Sequence, residues 1–288
     1  MSKFFRVFKY FHIHPLLWVV MAIGVMTAHF YDLCLLLFII TVHELGHAVA
    51  ASFFSWRIKR ISLLPFGGVA EMDEHGNRPL KEEVIVILSG PAQHIWMIAL
   101  AYVLYENGYL TASMYDVFVS YNMIIFLFNL LPIWPLDGGK LLFLYLSMKN
   151  SFPIAHKMML LTSIIGVILF TVSVIWFMPT NINAWIIICF LLFSIYYEWK
   201  QSRYVFMRFL LERYYGRSKE LRQLKPIEVD EGEMIFRVLE HFHRGCKHPI
   251  VIMTQGKEKQ VLDENEVLHA YFTNKLVSVK IGDLVYPI

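Results

Sequence analysis

Residues 33–51 read LCLLLFIITVHELGHAVAA, an apolar run that contains the sequence HELGH with His43, Glu44 and His47. Two histidines four residues apart lie on the same face of a helix, so both imidazoles can reach one metal ion. Glu44 lies beside them, where it can take a proton from a water molecule at that ion. Within a membrane, such ionisable groups cost roughly 2.5 kcal/mol or more for each charge unless they are paired, coordinated or hydrated. This cost favours a metal site over the alternative, a polar cluster that only packs helices together.

The amino-acid composition is that of a membrane protein. Of the 288 residues, 57% are hydrophobic and 17% are charged, and the mean hydropathy is +0.51. In soluble domains about a quarter of the residues are charged. Four stretches without charged residues are each long enough to cross a bilayer as a helix, and they cover residues 10–31, 84–105, 117–136 and 158–197. These features exclude a soluble enzyme, a disordered chain and a secreted scaffold built on disulfides.

The pattern of apolar runs and basic residues predicts an α-helical polytopic membrane protein with six transmembrane helices. The candidate helices are 11–30, 31–54, 84–105, 116–131 with a continuation to 148, 156–178 and 183–198. The bends at 29–32, 106–114 and 179–183 contain no lysine or arginine, so all 26 basic residues fall on the other side. By the positive-inside rule that side is cytoplasmic, and we expect both termini there.

Asp137 is the predicted third ligand of the metal. A catalytic zinc ion takes three protein ligands and leaves one position for water. Asp137 ends an uncharged stretch in the sequence NLLPIWPLDGG, residues 129–139, whose prolines and glycines must break a helix. Broken backbone at membrane depth is tolerated where protein or a watery cavity satisfies it. The alternative, in which Asp137 only caps the next helix, is less favoured because the six-helix topology places His43, His47 and Asp137 in the same cytoplasmic half.

Two segments outside the membrane spans carry further predictions. The dipeptide Gly67-Gly68 lies between two short apolar segments, and this pattern predicts a β-hairpin that turns at the two glycines. Residues 199–225 are rich in basic and aromatic side chains, which predicts an amphipathic linker at an anionic membrane surface. The alternative for this segment is an ordinary basic flank that continues into a solvated helix.

Residues 226–288 are predicted to form a small soluble α/β module after the membrane domain at 1–198 and the linker. The pattern predicts a helix at 234–243, a strand at 249–253, a turn at Gly256 and a helix at 265–274. About 60 residues is a marginal size for an independent hydrophobic core. We therefore expect the module to need a partner surface, supplied by another copy of the chain.

HELGH and the sequence from Asn129 to Gly138 together resemble the site-2 protease family of zinc intramembrane proteases, most closely its sporulation members in endospore-forming bacteria. The resemblance covers roughly residues 30–200. It implies one zinc ion per chain and cleavage of a membrane-associated protein near the cytoplasmic face, such as a sigma-factor or other transcription-factor precursor. It also implies that Asn129 hydrogen-bonds the substrate carbonyl or the oxyanion, although Asn129 could instead satisfy backbone freed by Pro132. The hairpin at Gly67 and Gly68 would hold the unwound substrate strand.

The tail from Pro226 is similar, more weakly, to a single CBS module. This similarity implies ATP or another adenine nucleotide as a regulatory ligand and a homo-oligomer formed through the module. Inhibitory membrane proteins are a further expected class of partner, whereas a net charge of +3 gives no argument for nucleic acid.

Two alternative functions remain at this point. One is a nucleotide-regulated membrane transporter with a fortuitous HExxH, which would need polar residues along several spans and paired halves. The other is a membrane zincin with a cytoplasmic catalytic domain and a glutamate as third ligand. That alternative does not explain an aspartate at a helix break.

Reporter fusions test the six-helix topology. Reporters placed after Tyr10, within 72–80 or after Lys225 should give a cytoplasmic signal, because the basic residues flank those sites. Reporters within 107–113 or 180–182 should give the signal of the opposite face. An extracytoplasmic signal from a reporter after Lys225 would contradict the topology.

Overall fold

The computed structural model of the protein describes residues 11–13, 21–22, 25–26, 30–56, 58–64, 67–72, 78–216, 223–254 and 257–284. Its longer helices are α1 (Phe30–Phe53), α2 (Leu80–Glu106), α3 (Ala112–Asn129), α4 (Asp137–Lys149), α5 (Phe152–Phe177) and α6 (Ile182–Tyr215). Among the described residues, α1, α2, α5 and α6 are long and apolar enough to cross a membrane. The protein is therefore a helical membrane protein.

Most of the predicted spans correspond to these helices. The spans predicted at 31–54, 84–105, 156–178 and 183–198 match α1, α2, α5 and α6, and the broken span matches α3 and α4. α6 continues through the first part of the predicted linker and ends at Tyr215. The six-span count stays a prediction, because most of the residues between 14 and 29 lie outside the described part of the chain.

The start of the predicted first span is wrong. Residues Phe11–Ile13 form a strand, β1, instead of the beginning of a helix. β1 pairs in parallel with Ile61, Ser62 and Leu63 of the next strand. This pairing satisfies backbone groups that a helix would otherwise satisfy internally, and aromatic and β-branched residues favour it.

The predicted hairpin is present, but its turn is not at the two glycines. Strands β2 (Ile58–Leu64) and β3 (Gly67–Met72) are antiparallel, with Leu64 opposite Gly67 and Leu63 opposite Gly68. Gly67 and Gly68 therefore begin β3, and the connection falls at residues 65–66, outside the described residues. The three strands are ordered β1-β2-β3. Among the described residues, the outer edge of β3 has no neighbouring strand.

The chain divides into two compact units. The first comprises residues 1–74, 81–141 and 163–194, and the second comprises 75–80, 142–162 and 195–288. The predicted boundary at 198 thus lies within α6, shortly after the second unit begins. The second unit contains the ends of membrane helices as well as the C-terminal segment.

In the C-terminal segment, the strands of a three-stranded sheet and the two helices follow one another in a β-α-β-β-α order, and two short strands form a separate pair. Its elements are β4 (Gln223–Leu224), β5 (Ile227–Asp230), α7 (Ile235–Glu240), β6 (Cys246–Lys247), β7 (Ile250–Thr254), β8 (Lys257–Leu262) and α8 (Glu264–Phe272), followed by a 3₁₀ turn at Ile281–Leu284. β5 and β7 are parallel, whereas β7 and β8 are antiparallel. The two helices and the strand predicted from the sequence are confirmed within a few residues. The predicted turn at Gly256 lies outside the described residues.

The core of the second unit is shared between the C-terminal segment and membrane helices. Ile235, Ile252 and Leu268 of the segment are fully buried together with Phe209 and Leu210 of α6. The ring of Phe209 also stacks on Phe152, the first residue of α5, with centroids 4.2 Å apart. Part of the partner surface that we expected from another copy therefore comes from the same chain.

A buried ion pair joins α6 to α8 within this unit. The Nε of Arg213 lies 2.6 Å from Oε1 of Glu264, and its Nη2 lies 2.8 Å from Oε2. Arg213 also donates to the carbonyl of His243, and the backbone N–H of His248 donates to Glu264. Such a bidentate pair is strongly oriented, and it leaves a buried charge if either partner is removed.

Replacement of Arg213 should destabilise the second unit. Arg213→Met leaves the Glu264 carboxylate buried without its partner, and we expect a loss of about 3–5 kcal/mol in the free energy of unfolding. The matched control is Lys247→Met, which removes an exposed ion pair with Asp263 and should cost under about 1 kcal/mol. Chemical unfolding of the full-length protein in detergent measures both values. Equal losses in the two variants would contradict the role of the buried pair.

Candidate active site

The three predicted metal ligands meet at one point. His43 and His47 come from α1, and Asp137 is the first residue of α4. Oδ2 of Asp137 lies 3.1 Å from Nε2 of His43 and 3.1 Å from Nε2 of His47, and the two Nε2 atoms are 3.1 Å apart. All three side chains are buried. Among the described residues, this is the one group of histidine, cysteine or acidic side chains arranged to hold a metal ion.

The donor set fits zinc. Nδ1 of His47 lies 2.8 Å from the carbonyl oxygen of Val86, which can only accept, so Nδ1 carries the hydrogen. In the neutral ring, which is the form that binds a metal, Nε2 of His47 presents a lone pair to Asp137, an arrangement that a cation between them stabilises. Ligand atoms of a tetrahedral zinc ion are about 3.3 Å apart for bonds of roughly 2.0 Å. The 3.1 Å triangle is close to this separation.

Lys140 holds the other oxygen of the Asp137 carboxylate. Its Nζ lies 3.0 Å from Oδ1, one helical turn along α4. This contact occupies Oδ1 and leaves Oδ2 directed at the two histidines. Asp137 thus presents one oxygen to the metal position. The i,i+3 spacing of Lys140 from Asp137 is the signal in the sequence from which this contact could have been predicted.

The break between α3 and α4 places Asp137 at the site. A side chain at Gly139 would come within 2.6 Å of the backbone of Ile133, so the chain can fold back at this point only with glycine. The backbone N–H of Trp134 donates to Oγ of Ser163 on α5 at 2.9 Å. Satisfied backbone polar groups make an irregular segment tolerable at membrane depth. The helix break that the sequence predicted is therefore confirmed.

Gly90 allows α2 to pass directly against the two imidazoles. A Cβ atom at this position would collide with the ring of His47 and lie 2.8 Å from Nε2 of His43. Pro91 follows within the same helix. The neighbouring turn of α2 also supplies the Val86 carbonyl that orients His47. One segment of α2 therefore forms a wall of the site.

The remaining predicted site residues lie outside the metal-binding group. Glu44 is buried on the same turn of α1 as His43. Asn129 is the last residue of α3, and its amide donates to the carbonyl of Ile125 in its own helix at 3.0 Å. Gly67 and Gly68 belong to β3. The structure thus groups the two histidines and Asp137 and leaves the other assignments as proposals.

Two buried polar residues of the site were not assigned from the sequence. His94 of α2 contacts His43, and Asn122 of α3 contacts His94. Each lies within a largely apolar helix, and the two belong to different elements. A spacing rule along one helix therefore could not connect them. The available signal was the presence of polar side chains at membrane depth.

Comparisons with known proteins identify the family. Residues 31–115 and 108–173 match peptidase family M50. Over 287 residues, 100% of both chains, the sequence is 47% identical to Stage IV sporulation protein FB of Bacillus subtilis. The chain belongs to peptidase family M50. It is therefore an intramembrane zinc metalloprotease, as HELGH and the Asp137 segment predicted, and the transporter alternative is not favoured.

Two further relatives of this family agree with the assignment. A zinc metalloprotease of Methanocaldococcus jannaschii is 33% identical over 127 residues, which cover 42% of this chain and 36% of the relative. The solved structure of a site-2 protease from the same organism superposes with a TM-score of 0.53 and 25% sequence identity. That match covers 65% of this chain and 89% of the solved chain. The fold of the protease core is thus shared across this sequence distance.

Gly90→Ala should disrupt the site. The added methyl group would displace the His47 ring, so we expect loss of bound zinc and of proteolysis by a factor of about 10 or more, as for other disturbed ligand sets. Gly232→Ala is the matched control, because a Cβ at Gly232 meets nothing within 4 Å. Metal analysis of the purified variants checks this prediction. Zinc content in the Gly90 variant equal to that of the Gly232 variant would contradict it.

Proposed function

We propose that the protein cleaves a membrane-associated protein substrate near the cytoplasmic face of the membrane. The observation that carries this proposal is the buried group of His43, His47 and Asp137, whose two histidines lie on α1, a helix of spanning length and apolar composition. The resemblance to a sporulation protein supports a substrate such as a membrane-held sigma-factor precursor, or another transcription-factor precursor, in a sporulation membrane. It also supports regulation by inhibitory membrane proteins.

The proposed mechanism assigns a role to each polar residue of the site. His43, His47 and Asp137 would hold one zinc ion, and Lys140 would keep the Asp137 carboxylate in place. A bound zinc ion activates water and polarises the peptide carbonyl. Glu44 would take the proton of the attacking water on its carboxylate and pass it to the nitrogen of the leaving amine. A buried position excludes bulk water, which strengthens these electrostatic interactions.

The edge of β3 is the proposed place for the substrate strand. A helical substrate hides its peptide bonds, so the segment to be cleaved must first become extended. An extended segment can add to an open strand edge through main-chain hydrogen bonds. Gly67 and Gly68 begin β3, and the outer edge of β3 has no neighbouring strand among the described residues. Glycines allow a second backbone to approach closely.

Asn129 is the proposed auxiliary donor to the substrate carbonyl or oxyanion. A single donor of this kind contributes about 10²–10³ in rate in other hydrolases. The amide of Asn129 has two N–H donors, and one of them is used by the carbonyl of Ile125. The second donor is the group that would reach the substrate.

Substitutions at Glu44 and Asp137 separate the base from the ligand. Glu44→Gln should retain about one zinc ion per chain and lower the cleavage rate by roughly 10²–10⁴, because the base is lost. Asp137→Ala should lose zinc together with activity, whereas Asp116→Ala, which changes an exposed aspartate near the start of α3, should change neither. Cleavage of a membrane-embedded reporter substrate and metal analysis provide the two readouts.

The role of Glu44 as the base and the role of Asp137 as a ligand can each be rejected independently. Cleavage by the Glu44 variant at nearly the normal rate would contradict its role as the base. Full zinc occupancy with lost cleavage in the Asp137 variant would make Asp137 a positioning residue and not a ligand.

The segment 226–288 is proposed to be a CBS-like regulatory module that binds ATP or a related adenine nucleotide. Its β-α-β-β-α order supports this proposal. A cavity of about 540 Å³ within the second unit is lined by Leu80, Met148, Leu224, Lys225, His243, Arg244, Gly245 and Cys246. Burial and the nearby Lys225 lower the pKa of His243 to about 4, so its ring is neutral at pH 7. Lys225 and Arg244 give the cavity a positive charge that suits phosphate groups.

Titration of ATP against the full-length protein tests the regulatory proposal. We expect binding that weakens in Lys225→Ala by several-fold, because one cationic contact is lost. Lys280→Ala, which removes an exposed lysine outside the cavity, is the matched control. Sedimentation with and without ATP tests the proposed homo-oligomer. Absence of binding at millimolar ATP, with unchanged cleavage, would instead make the module a docking domain that does not respond to nucleotide.

A further inference from the structure

A buried chain of hydrogen bonds lies behind one of the proposed metal ligands. Nδ1 of His43 is 3.0 Å from Nε2 of His94, and Nδ1 of His94 is 3.0 Å from Oδ1 of Asn122. The amide nitrogen of Asn122 donates to the carbonyl of Phe118 at 2.9 Å. His94 is 1% exposed and Asn122 is fully buried. This chain, which we call the His94–Asn122 chain, connects α1, α2 and α3.

The position of each hydrogen in this chain follows from its last member. The carbonyl oxygen of Phe118 can only accept, so the NH₂ group of Asn122 faces it. Oδ1 of Asn122 therefore faces His94 and must accept from it. Nδ1 of His94 then carries the hydrogen of a neutral ring, and its Nε2 is left as an acceptor.

The chain consequently determines the tautomer of His43. Because Nε2 of His94 is an acceptor, Nδ1 of His43 must carry the hydrogen and donate it. In the neutral imidazole, Nε2 of His43 is then left with its lone pair directed at Oδ2 of Asp137 and Nε2 of His47. This is the form of the imidazole that binds a metal ion. A doubly protonated His94 would reverse the direction of the bond, but it would place a positive charge on a side chain that is almost completely buried.

The two histidine ligands are oriented by different kinds of partner. His47 donates to the main-chain carbonyl of Val86. That acceptor remains whatever side chain occupies position 86. His43 depends on the side chains of His94 and Asn122. The orientation of His43 can therefore be removed by substitution without changing a ligand, which makes its contribution measurable.

We propose that His94 and Asn122 are positioning residues that hold His43 in the tautomer and ring orientation required for zinc binding. The proposal rests on the zinc site proposed above. Partners that hold the second nitrogen of a ligating histidine raise metal affinity or activity by about 10–100-fold in other metalloenzymes. His94 and Asn122 do not reach the metal position themselves. They act through His43.

Zinc affinity of purified, full-length variants tests this proposal. Asn122→Leu replaces the amide that accepts the hydrogen bond from His94 with an apolar side chain of similar size. His94→Phe removes both ring nitrogens. We expect zinc affinity, measured by competition with a chelator, to fall by about 10–100-fold in both variants, with faster zinc release. The absorption bands of the cobalt-substituted protein should also change, because they report the geometry of the ligands.

Two control variants isolate the hydrogen-bond chain from general effects. Asn107→Leu removes an asparagine that donates to the carbonyl of Val103 four residues earlier, as Asn122 does to Phe118, but it is exposed at the end of α2. It should bind zinc normally. Asn122→Asp should restore most of the affinity, because a protonated carboxyl presents one donor to Phe118 and one acceptor to His94.

Stability and zinc binding are measured separately, so a folding defect cannot imitate the expected result. The thermal midpoint of each variant is recorded with excess chelator, which removes the contribution of the metal. Asn122→Ala replaces the leucine variant if the latter does not fold. Normal zinc affinity and an unchanged cobalt spectrum in the Asn122 and His94 variants would overturn the proposal. If Asp137→Ala loses zinc in the same assay, the zinc site itself still stands. A wild-type protein that binds no zinc would overturn both.

Discussion

The rest of the site depends on the close approach of three potential metal-ligand atoms. Nε2 of His43, Nε2 of His47 and Oδ2 of Asp137 are each 3.1 Å from the other two, and all three side chains are buried. When both histidines are neutral, these atoms direct their lone pairs at one point, and that is the arrangement that binds a zinc ion. Contacts with neighbouring residues hold these atoms in place. Each neighbouring feature of the first unit contributes to that task.

The supporting features come from separate parts of the sequence. α1 supplies both histidines from one face, and the break before α4 brings in Asp137. Gly90 allows α2 to approach the imidazoles, and Lys140 restrains the carboxylate. A small error in ligand position costs much of the binding energy, which explains why several independent contacts converge here. The apolar surroundings increase the cost of any polar group left without a partner.

The sequence predicted the ligands and the broken helix because each has a local signature. HELGH has the i,i+4 spacing of a helix face, and Pro132 and Pro135 disfavour a continuous helix in the segment that separates α3 from α4. His94 and Asn122 lack such a signature, since their contact depends on how three helices pack. β1 was missed because three residues are too few to distinguish a strand from the start of an apolar helix. Gly67 and Gly68 belong to β3 and not to a turn, because glycines suit the start of a strand as well as a turn.

The C-terminal segment illustrates a limit of size arguments. Its length indicated that it needs more apolar surface than it contains, and the structure supplies part of that surface from Phe152, Phe209 and Leu210. The sequence could not distinguish between a second copy and the same chain as the source of this surface. Composition alone carries no information about which apolar groups meet.

The Val86 carbonyl has a consequence for how relatives of this protein can diverge. Because His47 is oriented by a main-chain oxygen, position 86 is free to drift among residues that keep α2 helical and packed. Positions 94 and 122 differ from position 86, because a hydrogen-bond donor at one of them needs an acceptor at the other. We therefore expect a change of hydrogen-bonding group at position 94 to favour a matching change at position 122. In a set of homologous sequences, position 86 near His47 would thus vary independently. Positions 94 and 122 near His43 would instead covary.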